Sequence, residues 1–182
     1  DNGLGGGHLA NALLDALGTE GADHAVDGDL GAAGGEGGEW SEGEALYRQG
    51  MALNPGYATA QHWYASDWLA LWGRFDEALA ELDFALDLDP LSSIIVENRA
   101  LTFVMKRDYE EAIRCCLQVL ESDPSFYKGY ATMGRAYSLM GNYSEALRMF
   151  EKGRAIAGDM FNILTATGET LARAGQTDAA RG

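Results

Sequence analysis

Few residues in this chain have the types and spacing that chemistry requires. Asp27-Gly28-Asp29 resembles the start of a calcium loop. The third ligand position is Gly31 and the closing position is Gly38, so two oxygen ligands are missing. His24, between Asp23 and Asp27, could join a metal site, but it reads more simply as a solvated loop histidine. Gly3 to Gly7 is glycine-rich, yet it follows no strand and has no lysine to meet a phosphate. Cys115 and Cys116 are adjacent, in neither a redox nor a metal spacing, and read as thiols buried on one helix. His62 lies beside Trp63, Tyr64, Trp68 and Trp72, and reads as a core or rim histidine. No Ser–His–Asp or Cys–His set can be assembled. The expectation is no catalytic residue, no metal and no cofactor.

Composition narrows the partners. The 182 residues carry 28 acids against 13 Lys and Arg, a net charge of −15. That disfavours nucleic acid, whose phosphates need basic side chains, and it disfavours anionic membranes. No apolar run approaches the ~20 residues of a spanning helix. The start, Asp1 to His8, lacks a basic region followed by an apolar stretch, so no signal peptide is visible. With two cysteines, a reducing, cytoplasmic location is expected.

The elements that would position any site come in two kinds. Residues 1–43 hold 13 of the 24 glycines, nine acids and no Lys or Arg. Glycine at that density costs too much backbone entropy for long helices. The exception is 8–17, where Leu9, Leu13, Leu14 and Leu17 fit a short amphipathic helix ended by Gly18. Residues 18–38 are expected to be loop or disordered. From Trp40 onward the chain keeps a beat. Pro55, Pro90 and Pro124 fall at nearly equal intervals, the first interval one residue longer than the second. Gly141 and Gly175 repeat the second interval. A period of about 34 residues means one structural unit copied and stacked.

Within each period the pattern is helix, turn, helix. Trp63–Trp72 pairs with Phe75–Leu88, Ile94–Met105 with Tyr109–Leu120, and Phe126–Met140 with Tyr143–Ile156. Asp108 with Glu111, and Asn142 with Glu145, fit a helix N-cap followed three places on by an acid. Pro90 and Pro124 stop the second helices. The longer first interval implies one extra residue, expected in the loop near Gly56–Tyr57.

These residues resemble the tetratricopeptide repeat family, whose unit is two antiparallel helices in about 34 residues. At the family's positions 8, 11, 17, 20, 24, 27 and 32, the unit starting at Ser93 reads Ala100, Phe103, Tyr109, Ala112, Cys116, Val119 and Pro124. The unit starting at Tyr127 reads Gly134, Tyr137, Tyr143, Ala146, Phe150 and Gly153, with Gly158 in place of proline. The unit starting at Thr59 reads Ser66, Leu69, Phe75, Ala78, Leu82, Ala85 and Pro90. A further unit begins at Phe161 and gives Gly168, Leu171, Gly175 and Ala180. The resemblance implies an all-α fold, an α-solenoid of stacked antiparallel helix pairs in a right-handed superhelix. A Gly-rich irregular segment at 1–38 precedes an array at 39–182: a half unit at 39–58, full units at 59–92, 93–126 and 127–160, and a partial unit at 161–182.

It also implies a concave groove lined by first helices. Carried onto this chain, its principal residues are Trp63, Tyr64, Asp67, Glu97, Asn98, Leu101, Met105, Lys128, Thr132, Arg135, Glu169 and Arg173. The groove would be apolar and aromatic at one end and basic at the other, so an acid of a partner peptide would meet Arg135. Some family members grip a C-terminal carboxylate with Lys and Asn at positions 5, 6 and 9. Here those positions hold Trp63, Tyr64 and Asp67, and then Glu97, Asn98 and Leu101, which does not suit that grip. The expected function is a protein-interaction scaffold, its partner a protein or peptide. The alternative is the regulatory or sensor segment of a larger bacterial transcriptional regulator, cyclase or kinase, suggested by the similarity of Leu71–Leu79 and Leu88-Asp89-Pro90 to arrays in such proteins. No capping helix follows the last unit, which is expected either to continue in a longer protein or to cover its end by self-association.

Overall fold

Proline and glycine punctuation divides the chain into helices, as the computed structural model shows for residues 39–176. The expected helix at 8–17, the glycine-rich stretch and the calcium-like sequence lie outside the described residues. Among those described, the helices are α1 (Glu39–Leu53), α2 (Ala58–Trp63, continuing to Leu69 as a wider turn), α3 (Phe75–Leu88), α4 (Ser93–Lys106), α5 (Tyr109–Ser122), α6 (Tyr127–Leu139), α7 (Tyr143–Ala157) and α8 (Phe161–Arg173). Their contacts divide them into two compact units, one holding α1–α3 and the other α4–α8.

One turn motif recurs once in every repeat. Gly73, Arg107, Gly141 and Gly175 all have positive φ, from 68° to 82°. At each, the next residue's N–H reaches back to the carbonyl five residues before it. The pairs are Arg74 to Leu69, Asp108 to Phe103, Asn142 to Tyr137 and Gln176 to Leu171, each 2.9 Å. This closes the first helix of a pair in a left-handed cap and returns the chain antiparallel. Arg107 adopts this conformation without glycine's freedom, at a cost of about 1 kcal/mol. The second helices stop at Leu53, Leu88 and Ser122, each two residues before a proline. The Asp108 side chain accepts from the Glu111 N–H at 3.4 Å, as the sequence predicts. Asn142 makes no such bond, and only its backbone carbonyl takes part, accepting from Ala146 at 3.0 Å. Its exposed neutral amide is a weaker acceptor than a carboxylate.

Small residues set the approach of paired helices. Ala78, Ala112 and Ala146 stand one repeat apart and are fully buried. In the α4–α8 unit, α4 pairs with α5 and α6 with α7, while α8 packs on α6 and α7. Its core joins Phe150 to Ala131, Ala146, Ile163 and Ala166. A Cβ on Gly134 would stand 2.5 Å from Cε1 of Phe150, so glycine lets α6 lie against that ring. Phe161, at 84% exposure, and Leu164 remain uncovered on α8.

In the α1–α3 unit the extra residue is not where the sequence suggests. The breaks 54–57, 89–92 and 123–126 are equally long. The start of α3 follows the start of α2 one residue later than α5 follows α4 or α7 follows α6. The surplus residue is inside α2, where the turn widens over Tyr64–Leu69 and the Ala70 N–H donates to the Ala65 carbonyl, five residues back, at 2.9 Å. A helix absorbs a one-residue insertion in this way, as a π-bulge. The repeat positions before the bulge therefore shift by one. Ala65, not Ser66, is the fully buried small residue equivalent to Ala100. The unit begins at Ala58, not Thr59.

Candidate functional site

The shift inside α2 changes which side chains its groove positions hold. Positions 5 and 6 become His62 and Trp63, and Tyr64 turns inward at 1% exposure. Tyr64 donates its hydroxyl to Glu44 at 2.7 Å and packs on Tyr47, ring centroids 5.5 Å apart. Tyr47 also meets Trp68, and Trp68 meets Trp72. A Cβ on Gly43 would stand 2.6 Å from Trp68, so glycine admits that indole beside α1. Trp63 and Asp67 are half-buried on the same helix. Tyr64 thus leaves the candidate groove, because the bulge rotates it into the core.

Glu44 is the charged centre of this unit. Its carboxylate accepts from Tyr64, from Arg48 at 2.9 Å, and from Arg74 at 2.9 Å on each oxygen. Arg74 also holds Glu77 at 2.8 and 2.7 Å. The Tyr64 hydrogen bond first, then Arg48 and Arg74, pull Glu44 down to about 2. Burial, and then Glu44, push Tyr64 up to about 12. Both arginines among residues 39–91 are thus engaged within the unit.

In the α4–α8 unit two further groove residues prove to be core. Glu97 on α4 is 6% exposed and accepts from the Thr132 hydroxyl of α6 at 2.8 Å; Thr132 is buried as well. Both leave the candidate surface, because their polar atoms satisfy each other between the helices. Burial pushes the Glu97 carboxyl above its usual range, against the Thr132 bond and the pull of Lys128 and Arg135. Burial, then the Glu97 charge, also push the neighbouring Cys116 thiol up. Cys115 and Cys116 are both buried, as expected of packing thiols.

A group whose folded value is raised binds its proton more tightly in the folded state than in the unfolded one. It contributes stability that is full below its unfolded value near 4.5 and is lost as pH rises through the folded value. Glu97→Gln keeps an acceptor for Thr132 and removes the charge. Thermal melts are expected to show this variant about 1 kcal/mol more stable at pH 7.5. They are also expected to show a flatter dependence between pH 5 and 7.5. An unchanged pH profile would show that Glu97 is not the titrating group.

The remaining candidates separate into those that share a cleft and those that do not. Arg135, Glu169 and Arg173 are exposed and line one opening of about 340 Å³. Val104, Ser138, Leu139, Thr165, Ala166 and Thr170 complete its walls, over Phe150. Asn98, Leu101, Met105 and Lys128 lie on first helices but outside this cleft. Asn98 donates to the Ile94 carbonyl of its own helix at 3.0 Å. The family's first-helix positions mark all three charged residues of the cleft as groove residues, and periodicity pairs Arg135 with Glu169, which stand one repeat apart and occupy equivalent places on α6 and α8. The Ser138–Thr170 contact at 2.8 Å joins residues that are not a whole repeat apart, and had no such signal. Among the described residues no group of His, Cys, Asp and Glu could hold a metal ion, and no helix is long and apolar enough to cross a membrane.

Known proteins agree with this architecture. Two sequence patterns described as tetratricopeptide repeat match, at residues 73–125 and 115–148. A FAM10 family protein of Arabidopsis thaliana is 37% identical over 76 residues, 42% of this chain and 17% of that protein. An Hsp70-Hsp90 organizing protein of Triticum aestivum is 30% identical over 84 residues, 46% of this chain and 14% of that protein. The chain therefore spans only a small part of the length of these relatives. The solved structure of a thermophilic TPR protein of Thermus thermophilus superimposes with a TM-score of 0.72 at 18% identity, over 94% of this chain and 86% of that one. The helix pairs, their recurring left-handed turns and the two matched stretches lead to one assignment: residues 73–148 belong to the tetratricopeptide repeat family, within an all-α fold of adjacent helix pairs.

Proposed function

We propose that this chain is a protein-interaction scaffold that holds a peptide or protein partner on the first-helix faces of its repeats. The wheat relative is by its name an organizer of two other proteins. Only that general role, holding other proteins, carries over to this chain. The observation that supports the reading is the cleft on α4, α6 and α8. Exposed aliphatic surface at Leu139 lies there beside three charged side chains without an ion pair among the described residues. Apolar surface beside unpaired charge is the composition of a recognition surface, where the apolar part supplies affinity and the charges supply register.

Of the twelve residues named from the sequence, nine stay accessible: Trp63 and Asp67 in the first unit, and Asn98, Leu101, Met105, Lys128, Arg135, Glu169 and Arg173 in the second. The test is affinity capture with the 182-residue chain carrying a photo-crosslinking residue at Leu139, compared with Leu139→Asp. Partners held by the cleft crosslink at position 139 and are lost from the Leu139→Asp capture. The same partners in both captures, with crosslinks absent at 139, would sink the assignment.

A further inference from the structure

The outer side of α3 departs from its counterparts in the other repeats. Phe84, Leu88 and Leu91 are exposed, Leu91 at 91% and Phe84 at 43%. Phe84 and Leu88 stand one turn apart on one face of the helix, and Leu91 follows just beyond its end. One and two repeats on, the place of Phe84 is held by Gln118 and Lys152, and that of Leu91 by Ser125 and Asp159, all exposed. Stacking of a second helix therefore does not require apolar side chains at these two places. The charges differ as well. α3 carries Asp76, Glu77, Glu81, Asp83 and Asp87 and no Lys or Arg, whereas α5 has Arg114 and α7 has Arg148, Lys152 and Arg154. Asp87 and Asp89 flank Leu88 at the negative end of α3, where a cation is favoured, and no ion pair among the described residues holds either. Residues 1–91 carry 17 acids against Arg48 and Arg74, and both arginines are taken by Glu44 and Glu77.

We propose that this outer face of α3 is a second docking surface, and that its occupant is a basic amphipathic helix of a partner protein. Phe84 and Leu88 form a ridge one turn long, a feature that seats in the groove of another helix. Apolar side chains of the partner helix cover Phe84, Leu88 and Leu91, and its Lys or Arg residues meet Asp87 and Asp89. Apolar contact supplies affinity, and the paired charges fix the register. Charge selects this occupant over others. A second copy would set its own Asp87 and Asp89 against these, and residues 92–182, with 11 acids and 11 bases, offer no net positive charge in exchange. Anionic membranes and nucleic acids are repelled for the same reason. This surface shares the scaffold role proposed above and none of the residues of the cleft.

The experiment is an NMR titration of the isotope-labelled 182-residue chain with a synthetic helix of Leu, Lys and Ala, about 14 residues long, its leucines along one face. One control peptide has the same residues in scrambled order, and another has Glu in place of every Lys. The expected result is movement of the Phe84, Leu88 and Leu91 signals, with the striped peptide bound about 10-fold tighter than the scrambled one. Phe84→Gln with Leu91→Ser, the residues of the next repeat, removes that advantage; both places are exposed, so the fold is retained. Asp87→Asn with Asp89→Asn weakens binding about 3-fold at about 20 mM salt and changes nothing at about 0.5 M. Equal binding of the striped and scrambled peptides, or signal movement confined to the α4–α8 unit, overturns the docking surface. Equal binding of the Lys and Glu peptides overturns the basic partner. A dimer of the chain alone in sedimentation, dissolved by Phe84→Gln with Leu91→Ser, would assign the face to a second copy instead. Leu139→Asp should leave the titration unchanged. A failure here thus leaves the cleft in place, and loss of the Leu139 crosslinks leaves this surface in place.

Discussion

Phe150→Ala is expected to lower the stability of the α4–α8 unit by about 3–5 kcal/mol, the largest effect expected of any single substitution in it. The ring is 1% exposed and joins α6, α7 and α8 through Ala131, Ala146, Ile163 and Ala166. Removing it forfeits the transfer energy of an aromatic side chain and leaves a hole bounded by small residues that cannot collapse into it. For a unit of this size, 1 kcal/mol moves the melting temperature by roughly 4–8 °C, so the loss should be plain in a thermal melt. The reciprocal change tests the same contact. Gly134→Ala sets a methyl 2.5 Å from the ring, an overpacking that costs about 1–3 kcal/mol. Combined with Phe150→Leu, the methyl gains room. The double variant should therefore be more stable than the two single effects add to. Strict additivity would show that Gly134 and Phe150 do not meet. The ring also floors the cleft, so Phe150→Ala should weaken partner binding as well.

Glu44→Ala is expected to destabilise the α1–α3 unit by about 2 kcal/mol, measured by urea unfolding followed by tryptophan fluorescence. The change strands the buried Tyr64 hydroxyl and releases Arg48 and Arg74. The arginines return to water at little cost, so most of the loss comes from the tyrosine. The same carboxylate gives the unit an acid sensitivity. Its folded value is depressed to about 2 from 4.5 unfolded. Its contribution is therefore complete above 4.5 and is lost as pH falls from 4.5 towards 2. Because the side chain is 25% exposed and its arginines are partly solvated, this amounts to about 1–2 kcal/mol rather than the full linkage value. Glu44→Ala should remove that part of the acid transition, and an acid transition unchanged by the substitution would show that other carboxylates cause it. Glu44 and Glu97 act in opposite directions with pH, one favouring the ionised form and the other the neutral one. Mild acidification towards pH 4.5 should thus strengthen the α4–α8 unit while leaving the Glu44 contribution to the α1–α3 unit intact, and that contribution is lost only below 4.5.

The bulge in α2 marks the boundary of what spacing can reveal. The stretch from Pro55 to Phe75 is one residue longer than those from Pro90 to Tyr109 and from Pro124 to Tyr143. Those spacings confine the surplus residue to the stretch between Pro55 and Phe75 and go no further. A loop is the usual host for an insertion. Here the loop 54–57 keeps the same length as its counterparts, and the helix takes the residue as a π turn. Tyr64 gains a hydrogen bond to Glu44 and a ring contact with Tyr47 by turning inward, and those contacts compensate the irregular helix. The groove assignment at Tyr64 failed for that reason alone. At Glu97 and Thr132 it failed for another reason: each is a polar residue on a first helix, and here each is the other's buried partner.

By itself, the sequence determined the helix pairs, their boundaries near the prolines and glycines, the buried alanines at 78, 112 and 146, and the family. Each follows from local chemistry repeated at a fixed interval: a proline that cannot donate, a left-handed turn, a methyl small enough for two helices to meet. Only the tertiary structure decided which polar residues are surface and which are core, where the extra residue went, and that Arg135, Glu169 and Arg173 share one cleft while Lys128 does not. Those outcomes depend on side chains from different helices meeting. A pairing such as Thr132 with Glu97 or Tyr64 with Glu44 is set by packing across the fold, and has no signature in the spacing of either residue along the chain.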